Sequence, residues 1–276
     1  MTYFGFLAIF LGIPLLGLSI LTIFDLRRGY NLPAALSAIP FWLTVIIHVL
    51  VALVYTTPWD NYLVATGVWY YNPRLVTGIT LGWVPIEEYS FFVLQTKVTG
   101  LWMRALAVRL PMPVEGFRAH HRARKLPFWG LGVIWIAAAV GLVSGWQPGN
   151  YLNLILCWAI PPILMQILFG GDILRYHWRF SLLALAVPTI YISLADSLAI
   201  GLGIWAIDPG QSVNLFLGGV LPLEEFIFFT TTNTLICLGI ILFQAPQSHE
   251  RLRQYFSTLF SGNIRGLSLR KGSKQS

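Results

Sequence analysis

Charge is scarce in this sequence. Asp, Glu, Lys and Arg together make up 11% of its 276 residues, where a soluble domain carries about 25%, and that deficit excludes a water-facing globule. Cysteine is scarcer still: Cys157 and Cys237 lie far apart inside apolar runs. They offer neither a disulfide framework nor a metal-ligand spacing, and both read as small buried apolar residues. Phosphate-cradling loops, nucleophile elbows and metal-binding clusters are missing, so no metal and no bound cofactor are expected. Gly201-Leu202-Gly203-Ile204-Trp205-Ala206 fits the dinucleotide fingerprint letter for letter. Without a preceding strand or a βαβ unit, the match is a coincidence.

Hydrophobic residues fill the place of charge, at 56% of the chain. A membrane-spanning helix needs about 20 mostly apolar residues, and seven stretches qualify: Tyr3–Phe24, Ala38–Tyr55, Leu75–Val98, Pro127–Val143, Tyr151–Phe169, Phe180–Ala199 and Val213–Phe243. The expected fold is an all-α, polytopic transmembrane bundle of about seven spans. The first stretch is too long for a signal-peptide core and lacks a small-residue cleavage site, so it is expected to be retained. The last is longer than a bilayer requires and should tilt, kink or begin with an interfacial turn.

Lys and Arg divide unevenly between the two sides of this arrangement. Arg27 and Arg28, the seven cations from Lys97 through Lys125, Arg175 and Arg179, and the six from Arg251 to Lys274 fall on one side, and Arg74 alone on the other. The positive-inside rule then puts the N-terminus outside and the C-terminus in the cytoplasm of a multi-pass cell-membrane protein. The net charge of +7 and the Arg118–Lys125 cluster become topology determinants that touch anionic lipid, not a nucleic-acid site. The polar, basic stretch after Gln244 is expected to be mobile.

One short stretch is written twice. Pro85-Ile86-Glu87-Glu88 precedes Phe91 and Phe92, and Pro222-Leu223-Glu224-Glu225 precedes Phe228 and Phe229. Upstream, Asp60, Gly67, Trp69 and Pro73 match Asp196, Gly203, Trp205 and Pro209 at an offset of 136, which becomes 137 at the acids, so one residue slips between Pro73 and Pro85. Such repeats mean two copies of one unit. An odd number of spans makes the copies parallel, spans one to three and five to seven, with span four as the connecting helix. Asp25 and Asp172 follow the first span of each copy.

An acid inside a membrane span costs roughly 2.5–3.5 kcal/mol on insertion scales and is a functional-site hypothesis by default. At 1.5 Å per residue each pair is expected roughly 16–20 Å into its helix, near the bilayer midplane. Pro85 and Pro222 should kink the helices just before the acids, and Gly78, Gly82, Gly218 and Gly219 should leave room for a ligand or a neighbouring helix. Apolar surroundings disfavour ionised carboxyls, and a neutral carboxyl beside an ionised one supplies an acid and a base together. The candidate catalytic residues are therefore Glu87, Glu88, Glu224 and Glu225. Asp60, Trp69, Phe91, Phe92, Asp196, Trp205, Phe228 and Phe229 are candidates for substrate binding, their aromatic faces suited to a cationic intermediate; Tyr70, Tyr71, Trp83, Tyr89 and Phe226 cluster nearby. The bland alternative is that the acids glue helices together, a task usually given to Ser, Thr, Asn or Gln. His48, the one histidine within a span, reads as a hydrogen-bonded core residue.

These residues resemble the integral-membrane lycopene cyclases that occur as two small subunits or one fused chain. Their signature, Pro-x-Glu-Glu or Glu-Asp once per repeat, is met by Pro85, Glu87, Glu88 and Pro222, Glu224, Glu225. The resemblance implies a cofactor-free, non-redox cyclisation of lycopene drawn from the bilayer, β-ring formation above all, in the company of other carotenoid-pathway enzymes. It also implies a division into a first repeat with its basic loop (1–126), a connecting helix (127–146), a second repeat (147–245) and a basic tail (246–276). A longer, prenylated carotenoid is a second possible substrate. A proton or ion pathway is a different class, for which Gln95, Thr96, Thr230, Thr231, Thr232 and Asn233 line only one side. A retinal protein needs a Schiff-base lysine in the last span, and Lys97, Lys125, Lys271 and Lys274 all lie elsewhere. Reporter fusions at Gly149 and Ser276 are expected on opposite sides of the membrane; two cytoplasmic signals would overturn the span count.

Overall fold

The computed structural model describes residues 1–113 and 116–258, and seven long helices run through them. They are α1 (Tyr3–Arg27, with a π-helical turn at Ala8–Gly12), α2 (Phe41–Ala65), α3 (Ile86–Arg109), α4 (His121–Val143), α5 (Asn150–Tyr176), α6 (Trp178–Gly201) and α7 (Leu223–Gln244). All but α3 are long and apolar enough to cross a membrane. That helix carries Glu87, Glu88, Lys97, Arg104 and Arg109, and it can do so because it lies at the centre of the bundle with fourteen of its residues buried.

Glycine and proline set the helix ends that matter. Helices α2 and α6 both stop in the same turn: Gly67 and Gly203 take φ of +69° and +66°, and the next amides, of Val68 and Ile204, donate back to the carbonyls of Leu63 and Ala199 (2.8 and 3.0 Å). A left-handed residue that lets following amides cap the last carbonyls is a common helix stop, and glycine occupies it without strain. The repeated Gly-x-Trp is thus a stop signal followed by a strand, β1 (Trp69–Tyr71) in one copy and β4 (Trp205–Ile207) in the other.

The third and seventh expected spans begin too early. Residues ahead of the acids form small hairpins, β2 (Thr80–Leu81) with β3 (Val84–Pro85) and β5 (Phe216–Leu217) with β6 (Leu221–Pro222). The first hairpin turns through Gly82 and Trp83, the second through Gly218, Gly219 and Val220, and this extra turn residue is the one-residue slip between the copies. Pro85 and Pro222 do not kink a helix. They are extended (φ −68°, ψ 150° and φ −56°, ψ 139°) and stand just before the first turns of α3 and α7. A residue with no N–H that pushes its predecessor out of helical conformation belongs at such a boundary. Consequently both acid pairs lie in the first helical turn, not 16–20 Å within. The four glycines form turns at positive φ, and of them only Gly82 gives room to a neighbouring helix, against Asn61 of α2.

The two copies meet about a pseudo-twofold axis. β1 pairs antiparallel with β4, and Tyr70 sits opposite its own counterpart, Ala206. Farther along, the Phe91 and Phe229 rings lie 6.1 Å apart, Gln95 donates to its counterpart Thr232 and to Asn233 (3.3 and 3.4 Å), and Thr99 donates to Asn233 (3.0 Å). Contacts that climb together in residue number mean that α3 and α7 run parallel, so the repeats do too. Of the six polar residues on the ion-route side, Gln95, Thr232 and Asn233 thus bond across the axis, while Thr230 and Thr231 donate to carbonyls of their own helix. At the opposite end from the acids, Arg109 clamps Asp25 with two bonds (2.8 and 2.9 Å), and Arg251 clamps Asp172 (2.7 and 2.9 Å). Arg251 lies in a stretch expected to be mobile; residues 246–258 are in fact helical, and 259–276 lie outside the described residues.

A Cβ at Gly82 would meet Asn61 Oδ1 at 2.1 Å, whereas one at Gly78 would meet nothing within 4 Å. Both take positive φ, so Gly78→Ala should cost about 1–2 kcal/mol of stability from backbone strain alone. Gly82→Ala should cost more, because it also displaces the Asn61 carbonyl that accepts the Trp83 amide (2.7 Å). Thermal unfolding in detergent measures the difference; equal losses would contradict this account.

Candidate active site

Neighbouring residues on a helix point about 100° apart, and in the first turn that separates the roles of each acid pair. Glu87 and Glu224, both fully buried, turn back on the segment that leads into their own helix. The Glu87 carboxyl accepts the Thr77 amide (2.6 Å); the Glu224 carboxyl accepts the Val213 amide (2.7 Å) and the Ser212 hydroxyl (2.9 Å). Glu88 and Glu225 turn toward the axis instead. Tyr3 donates its hydroxyl to Glu88 Oε2 (2.5 Å), and Tyr151 donates to Glu225 Oε1 (2.7 Å). The two tyrosines occupy equivalent places in the first turns of α1 and α5.

Glu88 and Glu225 line one cavity of ≈ 30 Å³, about the volume of a single water. Its other walls are Tyr3, Tyr71, Trp69, Trp205, Phe91, Phe228, Phe229 and Asp196, and no Lys, Arg or His is among them. The Trp205 indole N–H holds Asp196 (2.9 Å). Asp60, the counterpart of Asp196, is fully buried in α2 and lies off the cavity, with neither oxygen hydrogen-bonded among the described residues.

Phe228 also borders a second, much larger space. A chamber of ≈ 490 Å³ lies between α2, α5 and α7, with Phe92 and Phe228 at the carboxyl end and Ser248, His249 and Leu252 at the other. Stacked aromatic rings frame the junction: Trp59 and Trp158 are 4.4 Å apart at 15°, and Phe228 lies 5.7 Å from Trp59 at 13° and 5.7 Å from Trp69 at 85°. His48 makes the hydrogen bond expected of it, from Nδ1 to the Thr44 carbonyl (2.7 Å), and its ring lines this chamber.

Of the substrate-binding candidates, Trp69, Phe91, Asp196, Trp205, Phe228 and Phe229 meet at the small cavity and Phe92 at the large one. Tyr70 and Trp83 are exposed, and the Tyr89 hydroxyl bonds the Leu81 carbonyl (2.9 Å) in the hairpin. Sequence reasoning missed Tyr3, Tyr151, Trp59 and Trp158. The tyrosines are traceable: they repeat at an offset of 148, as do Pro14 and Pro162, whereas the acids and the segments before them repeat at 136 and 137. The loop after the first helix is shorter in the second copy, which changes the offset.

The Lycopene cyclase family matches residues 1–104 and 149–245. The chain is 40% identical over 195 residues to a lycopene beta-cyclase of Halobacterium salinarum (strain R1), covering 70% of this chain and 78% of that protein. It is 33% identical over 219 residues to a bifunctional lycopene cyclase/phytoene synthase of Podospora anserina, covering 77% of this chain and 35% of that one. A similar bifunctional protein of Aspergillus niger is 33% identical over 257 residues, or 87% of this chain and 44% of its own length. No solved structure matches the chain.

Proposed function

Because the chain belongs to the lycopene cyclase family, we propose that it closes the linear ends of lycopene into β-type rings by acid–base catalysis. The observation that carries this reading is that Glu88 and Glu225, one from each repeat, face a single aromatic-walled cavity beside a long apolar chamber. One carboxyl, protonated, gives its proton to the terminal double bond. The tertiary cation so formed is attacked by the neighbouring internal double bond, which closes a six-membered ring and moves the charge into it. The other carboxyl, ionised, removes a proton and restores a double bond. One proton enters and one leaves, so the product is an isomer and no electrons are exchanged.

The geometry supports the following roles for the neighbouring residues. Tyr3 and Tyr151 orient the two reacting carboxyls through their hydroxyls. Glu87 and Glu224 act as positioning residues, tying the hairpin segments to α3 and α7. Aromatic faces stabilise the cation, and apolar walls that exclude water keep it from being captured as an alcohol. A 30 Å³ cavity is too small for the ring, so closure takes place at the junction with the chamber as Phe228 yields. Repeats 1–126 and 147–245 act as one unit, with the N-terminus outside and the C-terminus in the cytoplasm, in keeping with the uneven cation distribution.

Expression in cells that accumulate lycopene, followed by pigment analysis, tests the activity directly: cyclic carotenoid is expected, and unchanged lycopene beside normal membrane levels of protein would reject it. Purified chain in lipid should cyclise added lycopene without nicotinamide, flavin or metal; a strict requirement for reduced flavin after dialysis would overturn the cofactor-free reaction. Glu88→Gln and Glu225→Gln, isosteric changes that remove only the ionisable proton, should each slow the first ring closure by about 10²–10⁴-fold, the usual weight of a general acid or base, and leave lycopene. Clean accumulation of the monocyclic product in both variants would instead mean one independent site per repeat.

A further inference from the structure

The frame of this bundle is symmetric and its free space is not. Tyr55 of α2 donates to the Trp158 carbonyl of α5 (2.8 Å), and Tyr191 of α6 donates to the Phe10 carbonyl of α1 (2.8 Å). These are the same bond made twice, with Tyr55 and Tyr191 related by 136 and Phe10 and Trp158 by 148. The seam held by the first bond contains the ≈ 490 Å³ chamber. Beside the second, the cavity lined by Phe10 and Ile192, counterparts of Trp158 and Thr56, measures ≈ 10 Å³.

One pair of exchanged residues differs sharply in size between the two seams. Gly239 of α7 lines the chamber, and its counterpart in α3, 137 residues earlier, is Trp102. Trp102 reaches across its own seam and donates its indole N–H to the Leu183 carbonyl of α6 (3.2 Å). The next residue, 184, is the counterpart of His48 and is a fully buried alanine. Across the axis the sizes are reversed: a Cβ at Gly239 would come within 2.3 Å of His48 Nε2 and 3.2 Å of Gln166 Nε2. His48 thus packs over Gly239, and both line the chamber, whereas the other seam carries Ala184 and Trp102 at these positions. Along α7 the chamber runs from Phe228 to Phe243, about 22 Å at 1.5 Å per residue, and the Phe228 ring is the wall it shares with the carboxyl cavity. A groove of that shape, almost wholly apolar and separated from the acid–base pair by one aromatic ring, suits an extended polyene chain.

Resting on the carotenoid reading above, we propose that the α2–α5 chamber is the single berth of the polyene. Gly239 keeps it open and Trp102 closes its counterpart, so both ends of lycopene are cyclised in turn at one place. The monocyclic intermediate has to turn end for end between the two closures.

The double variant His48→Ala with Gly239→Trp copies the packing of the closed seam into the open one and should fold. Wild-type and variant chains are reconstituted in lipid with lycopene, retained pigment and products are measured, and folding is checked by circular dichroism and melting temperature. The variant is expected to retain lycopene at least about tenfold less well, a loss near 1.4 kcal/mol, and to form neither ring, while Trp102→Ala still makes the bicyclic product. A folded double variant that still closes one or both rings at the wild-type rate would overturn the single berth, as would loss of the second ring in Trp102→Ala. Should the double variant not accumulate, Ala52→Phe fills the chamber from α2 and is read by the same outcomes. Failure of the wild-type chain to cyclise lycopene would reject the functional reading and not the berth.

Discussion

Four carboxyl groups buried in an apolar bundle must be held by something other than water, and the architecture follows from how that is done. A helix start offers amides with no partner in the helix and a favourable dipole for an acid. Placing Glu87, Glu88, Glu224 and Glu225 there requires the chain to enter the bundle, turn and only then begin α3 and α7. Glycines at positive φ make the turn, Pro85 and Pro222 end it, and the outer glutamate of each pair bonds back to the entering segment. The inner glutamate is left to a tyrosine from the start of another helix. Each component removes a polar group from contact with lipid, and together they bring two carboxyls to one cavity.

Duplication supplies this arrangement twice, and the axis between the copies converts it into one centre. Tyr70 opposite Ala206 and Gln95 against Thr232 mark the line on which each copy meets itself. Residues on that line must be compatible with their own counterparts; residues away from it are free to differ. Trp59 faces Trp158 and Phe228 on one side, where the other has Ala195, Phe10 and Phe91. A symmetric scaffold can therefore hold an asymmetric substrate pose without cost to the fold.

Much of this was legible before any coordinates. Scarce charge, apolar runs and the lopsided placement of Lys and Arg point to a bundle, and the repeated acids point to its centre. What composition could not reveal was where α3 and α7 begin, because Leu75–Pro85 and Val213–Pro222 are as apolar as a helix needs to be. Hydropathy measures tolerance of lipid and is blind to backbone direction; Gly78, Gly82, Gly218 and Gly219 carry that information through their positive φ. The partition within each acid pair was equally hidden, since it depends on which residue of the first turn faces the axis. Tyr3 and Tyr151 were present as a repeat but at an offset changed by a shortened loop.

The connecting helix has a further meaning. In α4 only Ala138 is buried, and the helix packs chiefly on α5. The halves are joined instead by their own strands and by α3 against α7, contacts indifferent to whether a peptide bond links them. Covalent continuity is then a control on stoichiometry: it ensures that every first half is accompanied by one second half and that like halves do not pair. Under that guarantee the two copies can drift apart in sequence, each specialising for its side of the axis, without any partner having to be found again by diffusion.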